Sequence, residues 1–109
     1  MPGRGYRART KQNVLDADGT LIIFFRELAG GTRETLRIAE EGGKPVLTLD
    51  CSAKPVEDAA VKAAAFIRLH GIETLNVAGP RESAHPGAAD HARTLVRAIL
   101  KLSEQVRSP

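Results

Sequence analysis

The chain has 109 residues, 42% of them apolar and only 4% aromatic, with a formal net charge of +3 and a pI near 9.4. That length suits a single domain with a real core, while so few aromatic residues speak against an RNA-recognition sheet or a stacking platform for single strands, and a positive surplus drawn largely from Arg4, Arg7, Arg9 and Lys11 speaks for mild steering of a small anion rather than for nucleic acid. Cys51 is the only cysteine, so no internal disulfide forms, and the longest apolar run, residues 21–25, is far too short to cross a bilayer; a soluble, cytoplasmic protein is expected, with no membrane or nucleic-acid partner.

Residues 1–5 are small, basic and glycine-rich and are expected to form a flexible amino terminus, leaving 6–109 as the domain. Residues 6–15 read as a helix that brings Tyr6, Arg9 and Asn13 near one face, with Thr10 and Val14 alongside. Gly19 suits a left-handed cap behind it. Residues 20–25 follow as a strand without a polar break, predicted to be buried on both faces. The strand runs into Gly30-Gly31-Thr32, a loop that exposes backbone N–H groups where a helix begins. Neither glycine carries a Cβ, so a ligand can approach the main chain, and Thr32 can cap the helix or donate its hydroxyl to an oxygen; the plainer alternative is a turn and a cap with no ligand.

A helix is predicted over 33–41, with Leu36 and Ala39 inward and Gly42-Gly43 as its stop. Residues 44–49 form a second strand with Pro45 at its entry, where a missing N–H matters least. Pro55 fits the first turn of a helix to about His70, whose Val56, Ala60, Ala63 and Ile67 share one apolar face, and Gly71 ends it. Residues 72–78 read as a third strand with Ile72, Leu75 and Val77 inside. It opens into a second special loop, residues 79–87. Residues 88–107 close the chain as its longest helix, burying Ala92, Leu95, Val96, Ile99, Leu102 and Val106.

Strand and helix thus alternate as βαβαβα after a leading helix, which predicts an α/β fold: a small Rossmann-like three-layer domain around a short parallel sheet. Ligands of such sheets gather at the carboxyl ends of the strands, and both glycine loops fall there.

The blocks Tyr6, Arg9-Thr10, Asn13-Val14, Asp18-Gly19-Thr20-Leu21-Ile22, Gly30-Gly31-Thr32, Lys44-Pro45 and, above all, Asn76-Val77-Ala78-Gly79-Pro80-Arg81-Glu82-Ser83 with Pro86-Gly87 are similar to those of the molybdenum cofactor carrier family. That family is a branch of the Rossmann-like superfamily that also holds lysine-decarboxylase-like nucleotide phosphoribohydrolases and DNA-processing proteins. The resemblance spans nearly the whole chain and implies binding of molybdenum cofactor, or of a related anion, without established catalysis. Family members usually open with a glycine-rich strand and helix of the Gly-Gly-Gln-Thr-Gly type, to which nothing here corresponds. A sheet edge is therefore expected to be left for a second copy or another partner to cover.

The ligand-binding candidates are Gly30, Gly31 and Thr32; Gly79, Pro80, Arg81, Glu82 and Ser83; and Arg9 and Asn13. Arg81 can grip an oxyanion with its fork or merely pair with Glu82, and Ser83 can donate from the loop. Arg9 and Asn13 either line the cleft or hold Asp16 and Asp18. Glu34 is the weak catalytic candidate, because phosphoribohydrolases of the superfamily place an acidic residue just after their glycine loop; a glutamate at a helix start also gains from the macrodipole alone. His85 and His91 are six residues apart with no clear third ligand, so no metal site is expected. The alternatives to a carrier are a phosphoribohydrolase-like enzyme and an interaction subunit with a degenerate ligand site.

Overall fold

The computed structural model describes residues 2–28, 30–52, 55–80 and 85–107, with side chains between Ala8 and Leu102 within those ranges. Seven elements follow one another: α1 (Pro2–Asp16), β1 (Gly19–Phe24), α2 (Gly30–Glu41), β2 (Val46–Asp50), α3 (Val56–His70), β3 (Leu75–Ala78) and α4 (Ala88–Arg107). The three strands form one parallel sheet in the order β2-β1-β3. The predicted alternation holds.

β1 is the centre because nothing in it needs water: Gly19 through Ile23 are all buried, as the unbroken apolar run requires of a strand covered on both faces. Its register sets Leu21 beside Leu47 and Val77, and Ile23 beside Leu49. Leu21, Ile23, Leu49 and Cys51 pack under Ala59, Ala60 and Ala63 of α3 and Leu95 and Ile99 of α4. Each large apolar side chain fully buried there contributes about 1.5–3 kcal/mol. On the opposite face Val14 of α1 and Ile38 and Ala39 of α2 form a second cluster, joined by Val46.

The path of the chain explains which helix lies where. From β1 to β2 it steps to one side, and from β2 to β3 it crosses back over β1, so right-handed crossovers must lie on opposite faces. α2 accordingly packs with α1, and α3 with α4.

Several expectations are corrected. α1 begins at Pro2, not Tyr6, and α2 at Gly30, not Arg33. Gly19 is not a left-handed cap; it is the first residue of β1, where an added Cβ would lie 2.5 Å from Ile72 Cδ1, so its role is to make room. Ile72 is buried but precedes β3, and Val77 is 37% exposed, because β3 is an outer strand whose face α4 covers only in part. In α2 the inward residues are Thr32, Thr35, Ile38 and Ala39, with Leu36 half-buried. The end of α3 follows the sequence closely: Gly71 at φ 60° donates its N–H to the Arg68 and Ile67 carbonyls.

Candidate anion site at the carboxyl edge

The helix after β1 leaves toward one face of the sheet and the helix after the adjacent parallel strand β3 leaves toward the other. Between two such strands a crevice opens at their carboxyl ends, the place where open α/β sheets take ligands. The chain leads from β1 to the start of α2 at Gly30, and leaves β3 through Gly79-Pro80.

Gly30 opens α2 with φ 58°, in the left-handed region, and nothing lies within 4 Å of the Cβ it lacks. Gly30 and Gly31 are exposed, and the first turn of α2 has no acidic residue. The first amides of a helix have no partner within it, so this terminus presents positive dipole and N–H donors. Thr32 departs from its expected part as a cap: it sits inside the first turn, 5% exposed, facing the core. Thr35 ties the turn from below by donating Oγ1–H to the Gly31 carbonyl at 2.8 Å. Gly79 lies flush against β1, its absent Cβ 3.7 Å from the Ile23 carbonyl oxygen, and Pro80 is half-buried. Arg81, Glu82 and Ser83 lie outside the described residues.

Arg9 and Asn13 are exposed on α1, and Asn13 is in its last turn, which leads to the amino end of β1. Asp16 instead accepts from Gln12 at 2.8 Å, and Asp18 accepts from the Glu73 and Thr74 amides at 3.0 and 2.9 Å. Glu34 faces a groove between α1 and α2 with Lys11, Leu15 and Arg37. Asn76 reaches Thr20 Oγ1 across the sheet at 3.4 Å.

The carboxyl edge also brings Phe25, Arg26 and Ser52, which carried no site expectation, together with His85. A cavity of about 470 Å³ is lined by Phe25, Arg26, Ser52 and His85. Arg26 is the one described non-glycine residue with positive φ, 71°. It is held there by Asp50, whose Oδ1 accepts the Arg26 N–H at 3.0 Å, the Ser52 N–H at 3.0 Å and the Ser52 hydroxyl at 2.6 Å. The Ser52 hydroxyl above all, then the two amides, keep the Asp50 carboxyl below its usual range. His85 stacks on Phe25 with ring centroids 3.8 Å apart and planes within 4°, and His91 meets the same ring edge-on at 5.2 Å. The two histidines thus share an aromatic neighbour, and among the described residues no three His, Cys, Asp or Glu are grouped to hold a metal. Cys51 is buried, and burial, followed by the Asp50 charge, pushes its thiol up. The available signal was position: Phe25 and Arg26 directly follow the central strand. The backbone twist at an arginine has no sequence signature.

These features define a Rossmann-like α/β protein with a crevice where the sheet changes its direction of winding. The chain belongs to the circularly permutated YpsA SLOG family, whose model matches residues 1–100. It is also similar to a protein of Syntrophus aciditrophicus SB named "Putative molybdenum carrier protein", with 40% identity and a TM-score of 0.84 to that protein's 1.45 Å crystal structure. The likeness covers 87% of this chain and 60% of the other, so the chain spans about 60% of that relative's length. No curated protein matches it. Among the described residues no helix is long and apolar enough to cross a membrane.

Proposed function

We propose that this protein is a carrier-like binder of an oxyanionic or phosphorylated small molecule, held at the carboxyl edge of the sheet. Molybdenum cofactor is the candidate suggested by the name of the solved relative. The observation that supports the reading is the start of α2, the helix that follows the buried central strand: Gly30 and Gly31 are exposed, and nothing lies within 4 Å of the Cβ that Gly30 lacks. Helix amides and the macrodipole favour negative charge there. The hydrolase reading would rest on Glu34, which faces the groove between α1 and α2.

Gly31→Asp is the direct test. An aspartate in the first helical turn agrees with the dipole and replaces a poor helix former, so the variant is expected to fold at least as stably as the parent, gaining about 0.3–1 kcal/mol. Its charge would repel an anion. Calorimetric titration with inorganic phosphate or a nucleoside monophosphate is expected to give binding in the parent and at least a tenfold loss in Gly31→Asp. Equal binding in the two, or release of free base from the nucleotide, would overturn the carrier reading.

A further inference from the structure

We propose that the outward face of α3 is an interaction surface for a second copy of this chain, the two helices packing antiparallel about a twofold axis. α3 is apolar on both sides. Inward, Ala59, Ala60 and Ala63 are buried in the core. Outward, Val61, Ala65 and Leu69 follow one another at i, i+4 and i+8 and so form a single stripe. All three are exposed, Val61 at 58% and Leu69 at 80%. Apolar residues scattered singly over a surface need no explanation, but a helix that is apolar all round is one that something covers all round.

The charges at the two ends of the stripe choose the occupant. Glu57 and Asp58 stand in the first turn of α3 and Arg68 in the last, and all three are exposed. At about 100° per residue each lies within about 60° of Val61 around the helix axis, so they share its outward side. Among the described residues none of the three is held in an ion pair. An antiparallel α3, centred midway between Val61 and Ala65, sets Val61 against Ala65 of the partner subunit. It also sets Arg68 between the partner's Glu57 and the partner's Asp58, and the twofold axis repeats both pairings. The small Ala65 side chain lets the axes approach to about 8 Å, the near end of the range for packed helices. Leu69 leans back toward the amino end of its helix and closes over Val61 of the partner subunit. A parallel copy would set acid against acid and base against base, and an anionic membrane would be repelled by Glu57 and Asp58. One helix pair buries less surface than an obligate dimer needs, so the association is weak and reversible.

The test is sedimentation equilibrium of the full chain at constant, moderate ionic strength and at concentrations up to about 1 mM. With rising concentration the parent is expected to climb from the 11.7 kDa of one chain toward twice that mass. Ala65→Glu places a charge at the centre of the stripe, on an exposed helical position that suits glutamate, and is expected to weaken dimerisation by about tenfold or more in a chain that circular dichroism shows still folded. Arg68→Glu sets acid against acid at both ends and is expected to weaken it by about fivefold or more. Adding Glu57→Lys and Asp58→Lys to Arg68→Glu reverses both ends together and is expected to restore the dissociation constant to within about twofold of the parent's, a recovery that damage to the helix would not show. A parent that stays at 11.7 kDa throughout, or a dimer as tight in Ala65→Glu as in the parent, overturns the α3 surface. A dimer indifferent to Arg68→Glu, or one that the triple variant does not restore, overturns the antiparallel arrangement.

Discussion

Gly19 leaves little room for a side chain although its backbone is ordinary strand. A Cβ there would lie 2.5 Å from Ile72 Cδ1 and 3.2 Å from Cγ1, so the buried Ile72 side chain must shift to admit it. Gly19→Ala is expected to cost about 1–3 kcal/mol by urea unfolding, the range for overpacking, and Ile72→Val, which removes the offending methyl, is expected to recover part of that loss in a double-mutant cycle. Additive effects would contradict the packing role. Asp18 is a second single-residue anchor. The Thr74 amide and then the Glu73 amide hold its carboxyl below the usual carboxylate range, so the folded form binds a proton less readily than the unfolded form. Its contribution is therefore complete above the ordinary aspartate value of about 3.9 and is lost as pH falls through the lower, folded value. Asp18→Asn is expected to flatten the acid limb of stability measured below about pH 4. An unaltered limb would show that the amide pair does not matter. Cys51 supplies a simpler check: buried and pushed toward the thiol form, it is expected to react with an aromatic disulfide far more slowly in the folded protein than in denaturant.

The helices divide into those whose limits chemistry announces and those it does not. α3 ends at Gly71 because a glycine in the left-handed region lets its N–H reach back to Arg68 and Ile67, and the sequence marks that stop plainly. α2 was harder to read, since two successive glycines look like a loop by propensity, yet Gly30 and Gly31 form its first turn while Thr32, Thr35, Ile38 and Ala39 turn inward. Tertiary burial decided the boundary. The same contrast runs through the site: Gly30, Gly31 and Gly79 could be read as loop glycines after strands, whereas Arg26 and Ser52 entered only through Asp50, a contact between segments 24 residues apart. For α4 the apolar repeat was legible, and Leu95 and Ile99 are its buried centre. Leu95→Ala is expected to cost about 2–5 kcal/mol, since Leu95 is wholly buried against α3 and the sheet. A cost below about 1 kcal/mol would mean that α4 is a detachable cover and not part of the core.

At the scale of the molecule, three parallel strands in the order β2-β1-β3 oblige the chain to reverse its winding, and the reversal leaves a crevice at the carboxyl ends of β1 and β3. Alternation of strand and helix was legible because parallel strands need crossovers; strand order was not, because nothing in a short apolar strand states which neighbour it takes. Val77 shows the cost of that gap: apolar and apparently internal by pattern, it is 37% exposed on an outer strand. The most direct measurement of the whole account is a titration of the isotope-labelled protein with inorganic phosphate, followed through its backbone amide resonances. Anion entry at the carboxyl edge predicts progressive shifts at Gly30, Gly31 and Gly79, with Gly43 and Gly71, which precede β2 and β3 at the far edge, unmoved. Shifts confined to Gly43 and Gly71, or none at any glycine up to millimolar phosphate, would contradict it.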